Sequence, residues 1–137
     1  MAAFRYVVCD VFTDTPLEGN QLAVFTDARD LDPVTMQALA KEMAFSETVF
    51  VLPAEAGGHA RIRIFTPASE LPFAGHPTLG TCHAWLEHGG SPHDPAAVVQ
   101  ECGAGLVPVR PTGDGLAFAA PPLVRSGPVD DAVVLDL

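Results

Sequence analysis

Lysine is all but missing from this chain: Lys41 is the one lysine in 137 residues, and seven basic side chains face seventeen acidic ones for a net charge of -10. A chain so poor in positive charge repels phosphate backbones and anionic lipid, which speaks against nucleic-acid and membrane-surface partners and leaves no polybasic import tract. Three cysteines, Cys9, Cys82 and Cys102, form no C-x-x-C pair. They argue against a disulfide framework or a zinc knuckle, and a reducing cytoplasm is the expected compartment. No apolar stretch reaches 18 residues, and Met1 to Arg5 lack a basic segment leading into a long apolar run, so neither a membrane span nor a targeting signal is expected. Repeats and low-complexity tracts are also missing. What is present is a 48% hydrophobic, 18% charged composition, sufficient for the core of one globular domain.

The elements follow from local pattern. Phe4 to Phe12 is rich in aromatic and β-branched residues, and a turn-prone Thr13 to Asn20 with Pro16 and Gly19 separates it from Gln21 to Phe25, which predicts paired strands. Asp32 as N-cap and Pro33 at the first position start a helix to about Met43, with Met36, Leu39, Ala40 and Met43 on one face. Thr48 to Leu52 and Ala60 to Phe65 flank a Pro53 to His59 loop; in the second run Ile62 and Ile64 alternate with Arg61 and Arg63, predicting a hairpin-like pair with one wet face. From Pro77 to His88, Leu79, Cys82, Ala84, Trp85 and Leu86 make most of a helix circumference apolar, so this helix is expected to be wrapped by other elements. Strands are predicted at Ala97 to Glu101, Leu106 to Arg110 and Leu116 to Ala119; beyond Pro121-Pro122 regularity fades. The expected fold class is α+β, a curved antiparallel sheet wrapped around a central helix.

Two segments could carry chemistry. Ser46 and Glu47 lie between a helix end and a buried strand, where a carboxylate is placed for proton transfer. Taken alone, Glu47 reads more readily as an exposed strand-end charge, since acidic residues are usually solvated. Glu70 to Gly80 is a loop ending in a helix start with Pro77 at the first helical position, and its free amides, approached closely at Gly75 and Gly80, favour a bound anion. His76 stands at the mouth of that site, as a substrate ligand and proton relay or simply as a cap. His83 and His88 are five apart and share no helix face, so no metal is expected. Cys82, on the apolar stripe, reads as a small buried hydrophobe, and Gly103 and Gly105 as turn residues.

On these residues the chain resembles the phenazine-biosynthesis PhzF-like isomerases, relatives of diaminopimelate epimerase. The resemblance is carried by Cys9-Asp-Val-Phe-Thr-Asp-Thr-Pro16 with Gly19-Asn20 and Ala23-Val-Phe25, by Phe45-Ser-Glu-Thr48, and by Arg63-Ile-Phe-Thr-Pro67. Glu70-Leu-Pro-Phe-Ala-Gly-His-Pro-Thr-Leu-Gly80 and Gly103-Ala-Gly-Leu-Val-Pro-Val109 complete it, in the family's order, over Phe4 to Pro122. It implies one half of the epimerase-like fold for residues 1–137. It also implies that Glu47 is the acid/base that moves a proton between carbons of a small cyclic carboxylate in secondary metabolism, with His76 in the catalytic pair. Ser46, Gly75, Pro77 and Asn20 line the substrate site by the same likeness. One glutamate can take and return a proton without cofactor, so neither cofactor nor metal is implied. Ala74, before Gly75, replaces the cysteine of the two-cysteine epimerases.

Family members are roughly twice this length, with a second similar domain across the cleft, and its D-P-A-T-G-S-type motif has no counterpart here; Asp94-Pro-Ala96 is a loop of superficial likeness. The expectation is a homodimer that imitates the two-domain arrangement, or a partner chain that supplies the second domain. The alternative is a non-catalytic small-molecule-binding or assembly subunit.

Overall fold

The computed structural model describes residues 3–123 and 125–128. Among them the chain runs β1 (Tyr6–Val11), β2 (Asn20–Phe25), α1 (Pro33–Met43), β3 (Glu47–Leu52), β4 (Ala60–Phe65) and β5 (Glu70–Leu71). It continues with α2 (Gly75–Glu87), β6 (Val98–Cys102), β7 (Gly105–Thr112) and β8 (Gly115–Phe118).

One sheet holds all the strands in the order β1-β2-β3-β4-β6-β7-β8, with the two-residue β5 pairing the far end of β4. The expected antiparallel sheet is in fact mixed: β2 pairs β3 and β4 pairs β6 in parallel, and the other described pairings are antiparallel. The cause is connectivity. Both parallel pairs are joined by crossovers that carry a helix, α1 in one and α2 in the other, and a crossover brings the chain back in the same direction.

The sheet curls around α2, which packs against β1, β2, β3, β6, β7 and β8. Pro77, Thr78, Gly80, Thr81, Cys82 and Ala84 are buried against it. Gly80 permits the closest approach, since a Cβ there would lie 2.6 Å from Cδ2 of Leu22 and 2.7 Å from Cγ2 of Val11. Buried Gln100 ties β6 to the helix by donating from Nε2 to the Thr78 carbonyl at 3.1 Å. Leu86 departs from the expected apolar wrapping: it is exposed, near the last turn of α2.

α1 lies on the outer face. Asp32 caps it, accepting the Thr35 amide at 2.9 Å, with Pro33 in the first turn, and Ala44 closes it in the left-handed conformation at φ 57°. Met36 and Ala40 pack with Phe25, Phe50 and Phe65. β3 is therefore covered on both sides, with Val49 and Val51 in the inner core and Phe50 and Leu52 in the outer one. That is why its run is continuously apolar, whereas β4 alternates Ile62 and Ile64 with the half-buried Arg61 and Arg63.

Candidate active site

Three chain segments converge at one end of the curled sheet. β2 and β3 run parallel, so their first residues, Asn20 and Glu47, begin on the same side, and the first turn of α2 delivers His76 beside them. Nδ1 of His76 lies 3.0 Å from Oε2 of Glu47, and Nε2 lies 3.1 Å from the backbone carbonyl oxygen of Asn20. Oγ of Ser46 donates to Oδ1 of Asn20 at 3.4 Å, linking the residue before Glu47 to the same strand end.

The donor inventory of the imidazole restricts what this arrangement can hold. A carbonyl oxygen only accepts, so Nε2 carries a hydrogen and donates it to Asn20. Nδ1 then faces a carboxylate oxygen, and the contact is attractive only with a proton between them, on the ring as imidazolium or on Glu47 as a carboxylic acid. The pair is thus built to share one proton. The side chains are 9% exposed for His76 and 20% for Glu47, which weakens competition from water while leaving Glu47 reachable. Oε1 of Glu47 makes no hydrogen bond among the described residues, so the second oxygen faces no competing partner.

The first turn of α2 adds a second feature. Ala74 stands at the N-cap without a side-chain hydrogen bond, and Thr78 closes back on the Ala74 carbonyl through its amide at 3.2 Å and its hydroxyl at 2.8 Å. The amides of Gly75 and His76 make no backbone bond among the described residues, which suits an anion at the helix start.

Several expectations need correction. The helix begins at Gly75, so Pro77 is at its third position; proline fits anywhere in the first turn, where amides lack intrahelical partners. Pro77 is also fully buried, which removes it from contact with a ligand and leaves it a shaping role. The space at Gly80 is used by Leu22 and Val11, and that at Gly75 by Phe118, whose Cζ would lie 3.1 Å from an added Cβ. The glycines thus serve helix-to-sheet packing. The structure brings Asn20, Ser46, Glu47 and His76 into one cluster, with Gly75 adjacent in the helix.

Two residues escape a reading of the sequence. Phe12, just past β1, holds its ring 6.0 Å from the His76 imidazole while 70% exposed. Glu101, read only as part of a strand, is buried and accepts three loop amides. The run Gly57-Gly58 opposite a strand-end carboxylate is the signal that would have found the second. Cys82 is fully buried and its thiol is pushed up to about 11 by that burial, in keeping with a packing role.

The family described as phenazine biosynthesis-like protein, PhzC-PhzF, matches residues 9–120. A trans-2,3-dihydro-3-hydroxyanthranilate isomerase of Pseudomonas fluorescens is 59% identical over 84 residues, covering 61% of this chain and 30% of that protein. The crystal structure of a Bacillus anthracis phenazine biosynthesis protein of the PhzF family matches with a TM-score of 0.78 at 32% identity, over 86% of this chain and 40% of that one. A probable proline racemase from Agrobacterium radiobacter, 17% identical with a TM-score of 0.59, shares the fold. Both the Pseudomonas and the Bacillus proteins are matched over less than half of their own length.

Proposed function

The chain belongs to the phenazine biosynthesis-like PhzC-PhzF family, and we propose that it forms the acid/base half of an isomerase that moves a proton between two carbons of a small cyclic carboxylate. The observation that carries this reading is the Glu47–His76–Asn20 arrangement, a carboxylate with one oxygen paired through a proton and the other unpaired. The name of the Pseudomonas fluorescens relative, a dihydro-hydroxyanthranilate isomerase, supports the substrate class.

In this reading Oε1 of Glu47 takes a proton from an allylic carbon next to the ring's conjugated system. The electron pair left behind shifts the double bond, and the same carboxyl, whose hydrogen exchanges with solvent, delivers a proton to another carbon. Nothing is oxidised or reduced, so the step balances without a cofactor. His76 holds the second oxygen of Glu47 in place, and the Gly75 and His76 amides face the substrate carboxylate. Ser46 and Asn20 line the edge of the site. The opposite wall comes from a second such domain, and a second copy of this chain in a homodimer can supply it.

Solvent deuterium exchange tests the reading. With the protein in D2O and trans-2,3-dihydro-3-hydroxyanthranilate as substrate, isomerisation carries deuterium into the ring carbon that is reprotonated, read by NMR and mass. Saturable binding with no exchange, in the assembled state found by light scattering, supports the non-catalytic binding subunit instead.

A further inference from the structure

Phe12 carries the one observation at the site that neither the acid/base pair nor the packing explains. Its backbone sits at φ 66°, a region that bulky residues rarely adopt, and its ring is 70% exposed, so no buried contact of the side chain compensates for the strain. The residue sits in a tight turn. Gly19 on the returning segment lies so close that a Cβ would come within 2.7 Å of both the Val11 carbonyl oxygen and Cγ2 of Thr13. The turn between them is fastened by the Leu17 amide donating to Oδ2 of Asp10 at 2.9 Å and the Thr15 amide donating to Oγ1 of Thr13 at 2.9 Å. The outcome is an aromatic ring held out of the core and tilted 41° against the imidazole of His76 at 6.0 Å between centroids. Strain that the fold maintains to expose an apolar ring beside a polar pair is what a binding surface for a flat ring requires.

We propose that Phe12 is the specificity-determining platform for the substrate ring, selecting a flat, conjugated six-membered carboxylate over a puckered one by stacking against its face. This rests on the isomerase reading, because it assigns the ring of the same substrate whose proton Glu47 moves. A cyclohexadiene is nearly flat and presents a π face, whereas a saturated ring presents axial hydrogens that hold it away from the Phe12 ring.

The test uses two probes, 3-hydroxyanthranilate and the saturated 2-aminocyclohexanecarboxylate, titrated into the full chain by calorimetry, with thermal unfolding measured in parallel. Phe12→Gly is expected to weaken the aromatic probe about tenfold and to remove the preference for it over the saturated one. Phe12→Tyr, which keeps the π face, retains both. Because glycine tolerates φ 66° freely and the lost ring is mostly exposed, Phe12→Gly should keep or raise Tm, an outcome that loss of a structural residue does not produce. A fall in Tm, an altered oligomeric state with unchanged affinity, or equal affinity in Phe12→Gly and the unsubstituted protein each overturns the proposal while leaving the isomerase reading standing. Failure of the unsubstituted protein to bind the aromatic probe also overturns the proposal, whereas the isomerase reading falls only with the deuterium-exchange test.

Discussion

Glu47 and His76, 29 residues apart in the chain, are joined by a 3.0 Å contact between Oε2 and Nδ1, and the Asn20 carbonyl on the far side of the ring decides which nitrogen already holds a hydrogen. The pair is therefore one unit that can share a proton. Glu47→Gln preserves size and can still hydrogen-bond His76, but an amide does not accept a proton at neutral pH. Isomerisation should fall about 10²-fold or more while binding of 3-hydroxyanthranilate persists. Full activity in Glu47→Gln, measured where the unsubstituted chain is clearly active, removes Glu47 from the reaction.

His76→Ala distinguishes a ring that touches only substrate from one that holds the base. Because His76 contacts Glu47 directly, its loss leaves Oε2 without its charge-assisted partner, and kcat should drop about tenfold or more in addition to any rise in KM. A change confined to KM, read from steady-state kinetics, assigns His76 to substrate binding alone.

What was legible in the sequence was whatever a local pattern determines. Asp32-Pro33 and the Met36, Leu39, Ala40, Met43 spacing specify α1 because capping and helical periodicity act within a few residues. The wrapped helix was legible from its apolar circumference, whereas the local pattern around Glu47 and His76 left each between a functional and a bland role, and only the family resemblance singled them out. Pairing between distant segments was not: turn residues show where the chain reverses, yet nothing local tells β2 to lie beside β3 or β4 beside β6, so the sheet is mixed where an antiparallel one is expected. The position of Pro77 was not legible because the whole first turn tolerates proline, nor was Phe12, whose left-handed backbone belongs to a turn that Gly19 approaches from a distant part of the loop.

Cys82 should be inert. Its thiol is pushed up to about 11 by burial, so at pH 8 only about one molecule in a thousand carries the thiolate, and the side chain is fully buried besides. Iodoacetamide at pH 8 should leave Cys82 unmodified in the folded protein and alkylate it in urea, as read by peptide mass spectrometry. Rapid modification under native conditions means that α2 opens away from the sheet.

The outer core depends on Met36, which is 1% exposed, whereas Val34 on the same helix is 80% exposed. Met36→Ala should cost about 2 to 5 kcal/mol through lost burial and the cavity left against Phe25, Phe50 and Phe65. Val34→Ala should stay within about 0.5 kcal/mol. Urea unfolding midpoints compare the two, and equal losses would mean that α1 is not docked through its Met36 face.

Glu101 makes the stability depend on acid. Its carboxylate accepts the amides of Glu55 at 2.7 Å, Ala56 at 2.6 Å and Gly58 at 2.9 Å, closing the loop between β3 and β4 onto β6. Burial alone would raise its carboxyl, but the three amides together with nearby Arg61 outweigh that and hold it below the usual glutamate value of 4.5. The unfolded chain then binds this proton more readily than the folded one. The contribution is fully present above about pH 4.5 and is lost as the pH falls through the lower folded value. Glu101→Gln should be about 1 to 3 kcal/mol less stable at pH 7, because an amide cannot present four lone-pair sites to three donors. As the pH is lowered below the ordinary carboxylate range the gap between the two proteins should narrow, since the glutamic acid also carries a hydrogen that opposes the loop amides. Urea unfolding at pH 7 and at successively lower pH measures this, and a gap that stays constant on acidification shows that the loop is held by something other than the charge.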